Sequence, residues 1–466
     1  MKIRILVLLL TISVSLSSCF KDMDDTIHTA SALDIQNFIY RGLNYYYLYK
    51  ADTPQLANDA FATNEEKENF LRGFDSPEAL FDFLKSPQDR FSNLFPDYTV
   101  IENALGGVSM SNGMEFGLVY YPDNSRNVFG YVRYVLPNTD AEIHGLKRGD
   151  LFTTVNGTQL NENNYNDLLD TESYTIGLAD FDGTNFTLTG ETIQLNKIQY
   201  DENPVHISRT LDINGQKIGY LMYTSFTRRY DAQLNNAFAQ FKAEGVTDLV
   251  LDLRYNGGGS VETATDLASM ITGQFNGEVF YQQFWNEDRQ LENARDGLFD
   301  NTISDGSSIN SLNLNKVYFL TTKRSASASE LVINGLNPYI NTVQVGDTTT
   351  GKFQASFLMY DAPAPQFSRQ HASPSHTYVM LPLVFKTANK VGHTDFVDGL
   401  FPNITLKENY FNLGQLGDPD EPLLATALSE ITGLPREQKR VFHQFKEVSG
   451  SEKSSPINEV MVVKSE

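Results

Sequence analysis

Cysteine is nearly absent: Cys19 is the single one in 466 residues, which excludes an intramolecular disulfide and a cysteine-built zinc site. The seven histidines, His28, His144, His206, His371, His376, His393 and His443, are scattered and fit no metal-ligand spacing. Positive charge is scarce too, with 36 Lys and Arg against 58 Asp and Glu and a formal net charge of −22. A chain so acidic lacks the basic face that a phosphate backbone needs, so nucleic acid is excluded as a partner class. Beyond residue 19 no segment reaches the ~18 consecutive apolar residues that mark a membrane-spanning helix. What remains is an ordinary globular composition, 41% hydrophobic and 20% charged. The length suggests about three domains.

The first nineteen residues read as an export signal. Lys2 and Arg4 precede the mostly apolar run Ile5–Val14, which is too short to cross a bilayer and fits a signal-peptide core. It ends in Leu16-Ser17-Ser18-Cys19, which resembles the bacterial lipoprotein signal. That resemblance implies removal of residues 1–18, lipidation of Cys19 and a lipid anchor in the bacterial cell envelope. The expected location is the outer membrane, on its periplasmic face or at the cell surface. An ordinary cleaved signal that happens to precede a cysteine is the plainer reading. Residues 19–30, with Lys21-Asp22-Met23-Asp24-Asp25, form an acidic tether similar to the surface-export signals of Bacteroidetes lipoproteins.

Residues 31–103 predict a helical N-terminal domain. Ile35, Phe38, Ile39, Leu43, Tyr46 and Tyr47 recur at helical spacing, and Ser76-Pro77-Glu78 opens a second helix with an N-cap serine and proline at its first position. The aromatics Tyr45 to Tyr49 read as core. From 104 to 198 the pattern turns to short strands and Gly/Asn turns. There Phe116-Gly117-Leu118-Val119 is followed by Ala141 to Leu151, containing Gly145-Leu146-Lys147-Arg148-Gly149-Asp150, and then by Val155-Asn156-Gly157. This order resembles a PDZ domain, which implies that backbone N–H groups near Phe116, Gly117 and Leu118 bind a peptide terminus while the peptide adds as a strand. A small β domain with glycine turns is the competing reading. Residues 199–433 alternate strands and helices, as an α/β layer domain does. Residues 434–466 are polar and predict a loosely ordered tail.

Three segments of the α/β region belong together. Leu251-Asp252-Leu253-Arg254-Tyr255-Asn256-Gly257-Gly258-Gly259 is a strand that runs into a glycine turn. Ser325-Ala326-Ser327-Ala328-Ser329-Glu330 follows the strand Val317–Leu320 and opens a helix. Gly346-Asp347-Thr348-Thr349-Thr350-Gly351-Lys352 follows the strand Thr342–Val345. In this order behind a PDZ-like segment, they resemble the C-terminal processing peptidases, also called tail-specific or carboxy-terminal proteases. The resemblance covers roughly residues 30 to 415. It implies a crotonase/ClpP-like α/β serine protease domain that uses a Ser-Lys dyad, with Ser327 as nucleophile, Lys352 as general base and Glu330 as the supporting acid. The implied oxyanion hole is the N–H of Ala328 with that of Gly258, or with that of Gly259 as second choice. No metal or organic cofactor is implied. The implied partners are protein or peptide substrates with accessible C-terminal tails.

The chemistry needs these residue types. A serine hydroxyl is a weak nucleophile until a neighbouring base takes its proton. A lysine serves only when neutral, so it must be desolvated and its pKa lowered from about 10.4. A helix start adds free N–H groups and a positive dipole end beside the developing oxyanion. Plainer readings stand next to these. Ser327-x-x-Glu330 also fits a capping box. Gly346-x4-Gly351-Lys352 nearly spells a phosphate loop, although Phe353 stands where that loop has Ser or Thr. Asp252 and Arg254 read as structural, and His393 could in principle complete a triad with Ser327. Phe353 and Gly257 depart from the family pattern, which favours glycine after the lysine and proline before the glycine pair. A non-catalytic peptide- or ligand-binding relative, or a PDZ scaffold lipoprotein, is the alternative function.

Overall fold

The computed structural model describes residues 29–123, 125–434 and 445–463. The leader, Cys19 and most of the tether lie outside the described residues. Among the described residues, no helix is long and apolar enough to cross a membrane.

Helix α1 (Ala32–Tyr46) starts at Ser31, whose hydroxyl and the Asp34 carboxylate close a capping box. Its stripe Ile35, Phe38, Ile39 and Leu43 is buried, as the spacing predicts. Helix α2 (Asn64–Leu71) follows. Helix α3 (Pro77–Leu84) begins with Ser76 Oγ accepting the Ala79 N–H at 3.1 Å. These helices do not form a core of their own. Their apolar faces belong to the same cluster as Leu221, Leu251, Phe319 and Leu331 of the α/β region. Asn93–Phe95 even pairs antiparallel with Val379–Leu381. The expected helical N-terminal domain thus packs its apolar face into the core of the α/β region as an arm. Its sequence reads as a unit because helical periodicity is local, whereas the surface it covers lies some 300 residues further on.

After helix α4 (Tyr98–Leu105) comes a β-rich unit, built from β1 (Met114–Tyr120), β2 (Val128–Val135), β3 (Leu151–Val155), β4 (Ser173–Phe181) and β5 (Phe186–Asn196). These strands are neighbours in chain order in one antiparallel sheet. Val132, Phe152, Ile176 and Leu195 form part of a core separate from that of the α/β region.

The α/β region is organised on a sheet in the order β6-β7-β8-β11-β12-β15. The six are β6 (Val205–Ile213), β7 (Gln216–Tyr223), β8 (Asp248–Asp252), β11 (Lys316–Thr321), β12 (Asn341–Gly346) and β15 (Ile404–Thr405). All but the edge strand β6 run parallel. Side chains alternate along each strand, so Ile218, Tyr220, Met222, Val250, Tyr318 and Leu320 share one face with Leu424 and Leu428 of helix α8 (Pro422–Thr432). Leu221, Tyr223, Leu249, Leu251, Val317 and Phe319 pack on the other face. There they meet helices α5 (Asp231–Glu244), α6 (Val261–Thr272) and α7 (Ala328–Leu336). Both faces are covered, which is why these strands read as continuous apolar runs. A second sheet contains β9 (Gly259–Ser260), β10 (Val279–Trp285), β13 (Gln354–Ser356) and β14 (Leu383–Ala388).

The segment expected to be a loosely ordered tail is structured where it is described. β16 (Glu447–Gly450) pairs antiparallel with β1, and β17 (Met461–Val462) sits between β9 and β13. Its polar composition hides this because β16 is held by charge and backbone pairing rather than by an apolar face.

Asp252 and Arg254 anchor the sheet end. The fully buried Arg254 guanidinium donates to Asp252 (Nε to Oδ1, 2.9 Å) and to both oxygens of Glu421 (2.6 and 2.9 Å). Arg148 of the β-rich unit reaches the same cluster through Glu408 at 2.8 Å. Removing Glu421 takes the bidentate partner from a buried guanidinium and leaves its charge undercompensated, so Glu421→Ala is expected to lower unfolding stability by about 3–5 kcal/mol in chemical denaturation.

Candidate active site

The loop between β11 and α7 carries the Ser-Ala-Ser-Ala-Ser-Glu run. Its outer serines tie it to the end of β8: Ser325 Oγ donates to the Leu253 carbonyl at 2.8 Å, and Ser329 Oγ donates to the Asn256 carbonyl at 3.0 Å. The middle serine is held differently. Ser327, at the helix N-cap, has φ 65° and ψ −115°, a left-handed backbone that is costly for a residue with a side chain. Its Oγ is buried without a hydrogen-bond partner. A strained backbone and an unsatisfied hydroxyl together mark a site kept for something other than stability.

Glu330 organises the surroundings. Its Oε2 accepts the Ser327 N–H and the Lys352 N–H, each at 2.8 Å, while Oε1 accepts the Gly351 N–H at 2.7 Å and the Thr349 hydroxyl. One carboxylate oxygen therefore bridges the backbones of Ser327 and Lys352. Thr349 Oγ1 in turn accepts the Leu400 N–H at 2.7 Å. Burial pushes the Glu330 carboxyl up to about 7, opposed by those four hydrogen bonds. The capping-box reading holds for its acidic half, since Glu330 reaches back to the N-cap N–H.

Lys352 follows Gly351, whose φ of 88° makes the turn that points the chain inward. A Cβ at Gly351 would meet the Val397 carbonyl at 2.4 Å, so the turn leaves no room for a side chain. No helix follows the turn: β13 does, unlike a phosphate loop. The Lys352 side chain is buried, and desolvation lowers its ammonium to about 8. Its Nζ lies 4.9 Å from the centre of the Phe91 ring and donates to the Glu459 carbonyl rather than to Ser327. Phe353 is buried and packs on Phe396 at 5.3 Å between ring centres.

The glycine triplet passes close to Ser327. A Cβ on Gly258 would meet Ser327 Cβ at 2.7 Å and the Val460 carbonyl at 2.5 Å, and φ is 114° at Gly258 and 133° at Gly259. The Gly258 N–H is committed to Asn256 Oδ1 at 2.9 Å, whereas the Gly259 N–H holds the Val460 carbonyl at 2.6 Å. Ala328 is the first helical residue after Ser327, where an N–H lacks an intrahelical partner. Phe116, Gly117 and Leu118 all lie on β1, where Gly117 and Leu118 pair with β16. His393 is not beside Ser327. Its Nδ1 meets Asn334 Oδ1 at 2.7 Å, and it lines a separate cavity of about 350 Å³.

Several residues of the site carry no sequence signal. Phe91, Asp89 and Arg90 come from the N-terminal arm. Phe91 covers the Lys352 amine, Asp89 lies close enough to favour its charged form, and Arg90 donates to the Gly351 carbonyl at 3.1 Å. Nothing near residue 90 announces a neighbour some 260 positions away. Asn256 was visible inside the Asp-Leu-Arg motif, but its role in fixing Gly258 required the fold.

Residues 217–360 match the family model for Peptidase family S41, and residues 34–93 match that for the Peptidase S41 N-terminal domain. A Bacteroides fragilis NCTC 9343 protein assigned to the S41 proteases has a similar solved structure, with a TM-score of 0.68 and 26% identity over 86% of this chain and 98% of that one. The chain is 24% identical to the chloroplastic C-terminal processing peptidase of Tetradesmus obliquus over 306 residues, 63% of this chain and 62% of that protein. It is also 24% identical to the carboxyl-terminal-processing protease of Picosynechococcus over 225 residues, 47% of this chain and 49% of the relative. The chain thus spans about half to three-fifths of these two relatives. Together the matches make this chain similar to the S41 peptidases, with C-terminal processing peptidases among the relatives it resembles.

The strain at Ser327 gives a stability test. A left-handed backbone costs about 1–2 kcal/mol with a Cβ and nothing comparable without one, so Ser327→Gly is expected to unfold at higher denaturant than Ser327→Ala. Glu330→Gln turns an amide toward backbone donors and is expected to lose about 2–4 kcal/mol in the same assay.

Proposed function

We propose that this protein is a serine endopeptidase of the C-terminal processing type that works through a Ser327/Lys352 dyad. The observation that carries the reading is the buried, unpartnered hydroxyl of Ser327, whose backbone N–H shares a Glu330 oxygen with that of a lysine whose amine burial makes easy to deprotonate.

In this mechanism neutral Lys352 takes the Ser327 proton as Oγ attacks the peptide carbonyl. Lys352 then returns the proton to the departing amine, leaving an acyl-enzyme that water hydrolyses with the lysine again as base. Glu330 touches no substrate. It positions the nucleophile and base by holding both backbones. The oxyanion is received by the Ala328 N–H and a glycine N–H. Gly259 is the better candidate than Gly258, because its N–H already holds a carbonyl while that of Gly258 is spent on Asn256. No cofactor is required by this scheme.

The β-rich unit acts in the proposal as a PDZ domain that receives substrate C-terminal tails along β1, at Phe116, Gly117 and Leu118. The antiparallel seat that β16 already takes there supports it. In the same proposal Cys19, at the end of the lipoprotein-like leader, is lipidated and anchors the enzyme in the bacterial envelope, where its substrates are envelope or extracellular proteins.

Cleavage of an unfolded protein such as casein is the test. Ser327→Ala and Lys352→Ala are each expected to lose about 10³-fold or more in kcat/KM. In the native enzyme the rate should climb from pH 6 to 9 with an apparent pKa near 8, because the base works only when deprotonated and burial lowers Lys352 to about 8. Undiminished cleavage by Ser327→Ala, or a flat pH profile, contradicts the dyad.

A further inference from the structure

The C-terminal segment follows the route a substrate peptide would take. It first adds to β1 as an antiparallel strand, with Glu447 opposite Val119, Ser449 opposite Leu118 and Gly450 opposite Gly117. Ser451 Oγ accepts the Phe116 N–H at 3.1 Å. The chain then turns and enters the cleft, where the Glu459 carbonyl takes the Lys352 amine and the Val460 carbonyl takes the Gly259 N–H. Met461 and Val462 complete the second sheet between β9 and β13, two strands that do not pair with each other, and Val460 and Met461 are buried. Both edges of that gap are backbone edges, so it fits an extended peptide of varied sequence.

Charge fixes the register. Glu452 pairs with Arg133 of the β-rich unit and, at 3.1 Å, with Arg324. Glu447 pairs with Arg324 at 2.8 Å and with Lys323, and accepts the hydroxyls of Tyr410 at 2.7 Å and Tyr131 at 3.2 Å. Arg324 stands three residues before Ser327, so the same two acids tie the β-rich unit, the segment and the nucleophile loop together. Arg133 and Arg324 are both nearly buried. A cavity of about 740 Å³ runs beside the segment from Arg324 and Glu452 to Gly257 and Gly258.

On the protease reading, we infer that residues 447–463 are an intramolecular inhibitor that occupies the substrate path. Arg133 and Arg324 are its anchor and select peptides bearing two carboxylates five residues apart. The segment withholds the two groups that the mechanism needs, the Lys352 amine and the Gly259 N–H. A substrate with matching acids gains entry by taking the arginines from Glu447 and Glu452.

The full-length chain carrying Glu447→Gln and Glu452→Gln tests this. It is expected to cleave casein at least fivefold faster than the native chain. A synthetic peptide of residues 446–463 should return it to the native rate, and the same peptide with both glutamates replaced by glutamine should need at least tenfold more. If the double variant melts well below the native protein, the full-length Val460→Asp variant, which disturbs the cleft contact alone, should show the same acceleration. Equal rates in native and loosened chains, with Ser327→Ala silencing both, overturn the inhibitor and leave the protease. If folded native and loosened chains both fail to cleave, the protease reading falls and the inhibitor with it.

Discussion

The buried carboxylate of Glu330 is the constraint on which the site depends. Four donors converge on it, from the nucleophile, the lysine, the turn before the lysine and a threonine of that turn. A carboxylate taken out of water is costly unless its lone pairs are filled. Here the groups that fill them come from the two loops that must be brought together. The solvation demand of one side chain thereby sets the separation of Ser327 and Lys352. It also offsets part of the cost of placing a strained residue at the helix start, since Glu330 holds the Ser327 N–H there.

A second layer of the argument concerns dielectric. In the proposed mechanism Lys352 serves as a base only because it is dry, and the N-terminal arm contributes to that dryness by bringing Phe91 over its amine. The arm shares its apolar core with the catalytic sheet, so docking the arm and tuning the lysine are the same event. On the other side of the sheet, Arg254 and its acids lock the end of β8, from which the glycine triplet departs toward Ser327. Stability and chemistry are thus separated by residue: the Asp252/Arg254/Glu421 cluster holds the strand end, and the unpaired Ser327 hydroxyl is left for reaction.

Much of this was legible in the residues. The apolar runs of β7, β8 and β11 were readable, and so were the N-caps at Ser76 and Ser327, because these signals are local. Ser327, Glu330 and Lys352 could be named because the Ser-Ala-Ser-Ala-Ser-Glu and Gly-Lys segments that carry them resemble those of the C-terminal processing peptidases. What could not be read was long-range. Phe91, the merging of the N-terminal arm with the main core, and the seat of the C-terminal segment all depend on contacts hundreds of residues apart. The tail was misjudged for a related reason. A segment held by backbone pairing, the ion pairs of two acids and a few apolar residues has the composition of a disordered one, and its order depends on Arg133 and Arg324 of distant elements. The choice between Gly258 and Gly259 needed to know which N–H was already spent.

The central claim is that Ser327 is a nucleophile activated by Lys352. A fluorophosphonate probe, followed by peptide mass mapping, measures this directly, because it labels a serine only where a neighbouring base activates it. The account predicts a single adduct on Ser327, forming faster from pH 7 to 9 and lost in Lys352→Ala, in full-length protein whose tail carries Glu447→Gln and Glu452→Gln. An unlabelled Ser327 in folded protein, or equal labelling without Lys352, would contradict it.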